Sequence, residues 1–226
     1  MSEIRRVVSV GAHSMDAEIL GGPIMLKYAA QGAHCTYIHV TQGRLEDPDA
    51  TEEAKSEYLR VLLDQNKLAA ERLNGDTIWL GYVSSQMPSL DEFATRMEHY
   101  FEEEQVDLVI THWRGSMHPR HINTYDAVTT AVKRLREKGS AIKLVYGENF
   151  EDLVGFIPQA YFKLDSKEVE NWFEGLRAYS VFKGEINDFP YKDYYSTMGK
   201  VRQIESNNSG YTVAYMYPSL IEHKIW

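Results

Sequence analysis

Two histidine-bearing turns, far apart in the chain, hold the side chains best suited to chemistry. The first is Gly11-Ala12-His13-Ser14-Met15-Asp16, and the second runs from His112 through Trp113, Arg114, Gly115, Ser116 and Met117 to His118-Pro119-Arg120-His121. Each directly follows an apolar run, Val7 to Val10 and Val106 to Thr111. Imidazole and carboxylate together form the donor set of a hydrolytic zinc site, which takes three protein ligands and leaves a fourth position to water. His13, Asp16 and one of the later histidines satisfy that requirement. A plainer reading stands beside it, because a His and an Asp in a strand-to-helix turn also serve as a hydrogen-bonding residue and an N-cap. Two imidazole-rich turns at two strand ends are harder to account for in that way.

The elements that position these turns follow from the apolar spacing. The β-branched start reads as a strand, Arg5 to Val10, buried on both faces, and from Ala17 the spacing becomes helical, up to about Gln31 before Gly32. Asp16 then falls at the first helical turn, where unpaired N–H groups and the dipole favour a carboxylate, and Gly21-Gly22 let that helix approach a sheet closely. Strands at Cys35 to Thr41, Thr77 to Leu80, Val106 to Thr111 and Ile142 to Tyr146 alternate with helices at Glu52 to Leu73, around Leu90 to Phe101, and at Thr124 to Lys138. Such alternation means right-handed crossovers and a mainly parallel sheet, an α/β fold of Rossmann-like three-layer form. In the usual order 3-2-1-4-5, strands one and four lie side by side where the winding reverses, and ligands bind outside their carboxyl ends. His13, Asp16, His118 and His121 would then face a single cleft.

At 226 residues, 43% hydrophobic and 25% charged, the chain is read as one domain over residues 1–226. A net charge of −9 argues against a nucleic-acid or anionic-membrane surface and for a small-molecule ligand. The single cysteine, Cys35, leaves any metal to His, Asp or Glu. With neither a long apolar run nor a signal-peptide pattern at Met1, a cytoplasmic location is expected. Beyond a strand at Ala160 to Leu164 and a helix from Lys167 to Phe182, the last third is rich in Tyr191, Tyr194, Tyr195, Tyr211, Tyr215, Tyr217 and Trp226. These rings suit a homo-oligomer contact or a cleft wall, or equally a final helix and strand that complete the sheet.

With these residues laid out, the chain resembles the zinc-dependent de-N-acetylases of the PIG-L/LmbE-like superfamily. That superfamily carries A-H-P-D-D-A-E, a Gly-Gly pair and later H-P-D-H. Here stand Ala12-His13-Ser14-Met15-Asp16-Ala17-Glu18, Gly21-Gly22 and His118-Pro119-Arg120-His121, with Thr41-Gln42-Gly43 after the second strand. The resemblance covers about the first two-thirds of the chain. It implies a Zn2+ or other divalent ion on His13, Asp16 and His121, with His118 meeting the oxyanion or leaving group, in removal of an acyl group from an N-acetylated sugar or glycoconjugate.

Two departures alter the chemistry. Met15 occupies the general-base position, and a thioether cannot accept a proton from water; losing a positioned base costs about 10²–10⁴ in rate. Arg120 replaces an Asp and is expected to depress the pKa of His118. One reading is an enzyme whose base is Glu18, Glu148 or Asp152. A second is a weak or inactive relative that binds metal and sugar, and a third makes the histidines structural. Arg44, Gln86, Trp113, Tyr146, Glu148 and Asn149 follow strands on the ligand side, with Arg44, Tyr146 and Glu148 taken as substrate contacts. His112 is either a support for the metal or a core-edge residue, and His34, His39, His99 and His223 are read as structural.

Overall fold

The first apolar run becomes β1 (Arg6–Gly11), which pairs in parallel with β2 (His34–Thr41) on one side and β4 (Leu108–Thr111) on the other. Its side chains alternate, so that Val7 packs into one apolar cluster while Val8 and Val10 pack into another. β3 (Asp76–Tyr82) and β5 (Lys143–Gly147) extend the parallel run, and the seven-stranded sheet has the order β3-β2-β1-β4-β5-β7-β6. The order expected for the first five strands is therefore the one found, and β1 and β4 lie side by side. The computed structural model describes residues 4–43, 45 and 49–218; Arg44, His223 and Trp226 lie outside the described residues.

Helices cover both faces. On one face α1 (Asp16–Ala30), α2 (Glu52–Arg72), α5 (Ser166–Leu176) and α6 (Tyr191–Glu205) share a cluster holding Leu20, Leu73, Trp172 and Tyr195. On the other, α3 (Leu90–Glu103) and α4 (Pro119–Glu137) contribute Phe93, Met97, Val128 and Val132. The α3 stripe is core as its spacing indicates, except that Leu90 is 51% exposed. Close packing of α1 on the sheet depends on Gly21, where an added Cβ would lie 2.5 Å from the Ser9 side chain.

Two helix boundaries differ from expectation by five residues or more. α4 starts at Pro119 rather than Thr124, because His118 caps it and Pro119 occupies a first-turn position where no amide hydrogen is needed. His121 is thus carried in the first turn of a helix. α5 ends at Leu176 rather than Phe182: the amides of Ala178 and Tyr179 bond three residues back, to Gly175 and Leu176, tightening the chain into turns that still bury Tyr179 and Phe182. In the last third, β7 (Thr212–Met216) runs antiparallel between β5 and β6 (Ala160–Lys163), and Tyr191, Tyr195 and Tyr215 are buried within the chain itself. Tyr217 is 45% exposed. Among the described residues no helix is long and apolar enough to cross a membrane.

Candidate metal centre

The turn after β1 is fixed from both sides. The amide and hydroxyl of Thr41, at the end of β2, both donate to the Ala12 carbonyl, at 2.9 and 2.8 Å. Gly11 lets the chain double back, since a Cβ there would lie 2.3 Å from the Ala17 nitrogen. Met15, at the N-cap of α1, has φ 82°, a left-handed conformation that costs an L residue roughly 1–2 kcal/mol. The surrounding bonds sustain it: the His13 amide donates to Asp16 Oδ2 at 2.8 Å, and the Ile19 amide donates to the Met15 carbonyl at 3.0 Å. The result brings His13 Nδ1 to 3.1 Å from Asp16 Oδ2.

The second turn meets it there. Because His118 caps α4, its Nδ1 accepts from the Arg120 amide at 3.3 Å, while His121 one turn on sits fully buried with Nε2 3.4 Å from Asp16 Oδ2. Asp152, in the loop after β5, fixes the rings, its two oxygens 2.7 Å from Nδ1 of His121 and 2.7 Å from Nδ1 of His112. His112 Nε2 accepts from the Ala12 amide at 2.9 Å, so its Nδ1 carries the hydrogen that Asp152 accepts. In the neutral form that a metal requires, the same assignment for His121 turns the lone pair of Nε2 toward Asp16. His112 stacks on His121 with ring centres 4.0 Å apart, and His118 lies 4.6 Å from His13 and 4.8 Å from His121. Asn149, in the same loop, donates to Asp16 Oδ1 at 3.3 Å.

Electrostatics follow from this crowding. Burial works to raise the Asp16 carboxyl, but the charge of His121 and the close imidazoles of His112, His121 and His13 outweigh it and hold Asp16 well below the usual carboxylate range. Asp152 is held at about 2, its burial overcome by His112 and His121. Burial opposes a charge on His121, yet Asp16 and Asp152 carry its pKa up to about 10 in the metal-free protein. His118 moves the other way, to about 4, first through burial and then through repulsion from His13 and His121. The direction expected for His118 is found but its cause differs, because the Arg120 guanidinium turns to Asn123 Oδ1 at 2.8 Å. Glu151, whose Oε2 lies 3.7 Å from His121 Nε2, is raised by burial and then by the charge of Asp16.

The donor set suits a metal. Nitrogen and oxygen ligands about 2.0–2.2 Å from a tetrahedral zinc lie about 3.3–3.5 Å from one another. The separations from Asp16 Oδ2 to His13 and His121 are 3.1 and 3.4 Å, and His121 Nε2 is buried without a hydrogen bond. Donor atoms of His13, His118 and His121, and of Asp16, His112 and His121, each fall within 4.8 Å of one another, so the triad read from sequence is divided between two groups that share His121. Asp152 behind His121 is the outer-shell carboxylate such ligands require.

The structure thus brings His13, Asp16, His118 and His121 together and disperses other residues named from sequence. Glu18 is sealed beneath α1, 3.3 Å from His39 Nε2, with both side chains wholly inaccessible. Glu148 is clamped by the Arg202 guanidinium, which ties β5 to α6. Tyr146 is buried on the α4 face, where its hydroxyl meets Thr129 at 3.1 Å and its ring lies near Trp113 and Tyr125. Trp113 itself donates to the Val154 carbonyl at 2.9 Å. Asp152 and Asn149 hold the clustered side chains from behind, and His112 stacks on His121 within the cluster. Glu151 escaped the sequence reading, although the acidic run Glu148 to Asp152 after β5 marked its position.

Residues 8–132 match the family described as PIG-L, GlcNAc-PI de-N-acetylase, over more than half of the chain. A curated relative, mycothiol S-conjugate amidase of Streptomyces coelicolor, is 26% identical over 71% of this chain, and the match spans 63% of that protein's length. Among solved structures, GalB, the 4-carboxy-2-hydroxymuconate hydratase of Pseudomonas putida KT2440, superposes with a TM-score of 0.76 at 14% identity, covering 97% of this chain and 99% of the other. The N,N'-diacetylchitobiose deacetylase of Pyrococcus horikoshii gives 0.71 at 15% identity, covering 96% and 84%. Likeness at such low identity speaks for the fold, and the sequence match speaks for descent: the chain belongs to the PIG-L family.

Proposed function

We propose that this chain is a zinc-dependent amidohydrolase that removes an acyl group from an N-acetylated sugar or glycoconjugate, acting on a small molecule in the cytoplasm. The observation that carries this reading is the buried, bond-free Nε2 of His121, set beside Asp16 and His13 with its other nitrogen held by Asp152. His13, Asp16 and His121 would hold the ion; when bound, zinc supplies a Lewis acid that polarises a carbonyl and makes water acidic near neutral pH. His118 remains neutral at pH 7, and with Nδ1 occupied by the Arg120 amide its Nε2–H is available to donate to the oxygen on which charge develops. The names of the relatives, an amidase and a deacetylase of an N-acetylated sugar, favour an amide bond as the target.

Metal analysis combined with acetate release tests the proposal. Purified protein is expected to carry one zinc per chain and to release acetate from N-acetylglucosamine-type substrates. Absence of zinc would sink the metal reading. Zinc and sugar binding without acetate release would favour a non-catalytic binding protein, the alternative that Met15 keeps open.

A further inference from the structure

We infer that Glu151 takes the proton from the attacking water, the role that Met15 cannot fill. The inference rests on the amide-hydrolysis reading and deepens it. Among the described residues, every other carboxylate that touches the ligand cluster, or that the sequence offered for the task, is engaged. Asp16 faces three imidazoles and Asn149. Both oxygens of Asp152 are held by His112 and His121. Glu18 is sealed against His39, and Glu148 is bound by Arg202. Glu151 alone among these five reaches the cluster while remaining open to solvent: its Oε2 stands 3.7 Å from His121 Nε2, and its side chain is 38% exposed.

This placement is built rather than incidental. The Glu151 amide donates to Asn149 Oδ1 at 3.1 Å, Asn149 donates in turn to Asp16, and the next residue, Asp152, orients two of the histidines. The loop that aligns the ligands therefore also delivers Glu151. Downstream, the Val154 amide donates to the Gly115 carbonyl at 2.9 Å, stitching the loop to the turn that precedes His118. In the proposed step the water oxygen bonds to the amide carbonyl carbon as one water proton passes to a Glu151 oxygen. When the C–N bond breaks, that proton goes to the departing nitrogen, yielding the free amine and acetate with no further reactant.

The test uses full-length protein loaded with zinc, comparing wild type with Glu151→Gln and Glu151→Asp. Zinc stoichiometry and affinity, read by chelator competition, are expected to be unchanged in Glu151→Gln. Acetate release is expected to fall about 10²–10⁴-fold, the scale for loss of a positioned base, with partial recovery in Glu151→Asp. The second readout needs no turnover. Acetohydroxamate gives up its O–H proton to a nearby base as it binds a metal, so its affinity is expected to drop about tenfold or more in Glu151→Gln, the worth of one charge-assisted hydrogen bond. Unchanged hydroxamate affinity in that variant overturns the inference, and so does a loss of zinc, which would make Glu151 a ligand. A wild type that holds zinc and hydroxamate but releases no acetate would fail the substrate reading alone, with the hydroxamate comparison still deciding Glu151. A wild type without zinc would fail both.

Discussion

Two buried imidazole–carboxylate groups flank the turn after β1, and they differ in kind. One gathers His13, His112, His118 and His121 around Asp16, with Asp152 behind; the other is the single pair His39 and Glu18 beneath α1. In both, a ring nitrogen stands 3.3 or 3.4 Å from a carboxylate oxygen without hydrogen-bond alignment. The first lies where donors from two turns and one loop converge, and its rim carries the part-exposed Glu151. The second admits nothing further, bordered by Tyr37 and Tyr179, whose hydroxyls burial and the Glu18 charge push up. Burial works against the His39 imidazolium, but Glu18 outweighs it and raises its pKa. His39 Nδ1 also lies 3.4 Å from the His13 carbonyl, so the closed pair acts as a foundation for the open cluster. Convergence with access makes a site, whereas one-to-one pairing with closure makes a support.

Substitutions can break that contrast, beginning with the largest expected effect. Asp16→Ala and His121→Ala should each abolish stoichiometric zinc, read by elemental analysis, and reduce hydrolysis to background. Glu18→Ala should cost about 3–5 kcal/mol in urea unfolding of the metal-free protein, because it leaves the His39 charge uncompensated in the core. Folded molecules of that variant should still bind zinc; a variant that keeps full stability but loses metal would assign Glu18 to the site instead. Asp152→Asn should weaken zinc binding by about 10–100-fold in chelator competition, the usual consequence of removing a carboxylate behind a ligating histidine.

The closed pair also predicts a pH dependence. His39 has a folded pKa raised above its ordinary 6.5, so the stability it contributes is fully present below about pH 6.5 and is lost as the pH climbs through the raised value. Urea midpoints of the metal-free protein should therefore carry a component that declines on the alkaline side. His39→Gln should remove it, and an unaltered profile in that variant would assign the charge elsewhere. The smallest effect belongs to Tyr146→Phe, which deletes one bond to Thr129 for about 1 kcal/mol and should leave acetate release intact. Reduced turnover there would restore Tyr146 as a substrate contact.

Much of this was legible in the residues. Apolar runs alternating with helical stripes point to a mainly parallel sheet, and the usual order of its strands, which the fold adopts, brings Asp16 and His121 to neighbouring strand ends. Spacing cannot show which acidic residue of a run faces inward. Glu148, Glu151 and Asp152 lie within five positions of one another, yet one binds Arg202, one borders the cluster and one anchors two rings. Those assignments depend on how the loop after β5 folds over the turn after β4, a matter of tertiary contact that periodicity does not encode. Glu18 illustrates the same limit. Its place beside a ligand in sequence turned it, one half-turn into α1, toward His39 and away from the histidine cluster.

The interleaving of β7 between β5 and β6 has a consequence for how the polypeptide is assembled during synthesis. β6 emerges before its neighbour β7 exists and must wait, unzipped, until residues 212–216 slot into the gap. Until then β5 and β6 both expose bare amide and carbonyl edges, the surfaces through which nascent chains adhere to one another. A chain halted just short of Thr212 would carry its whole histidine cluster and yet leave both of those edges bare.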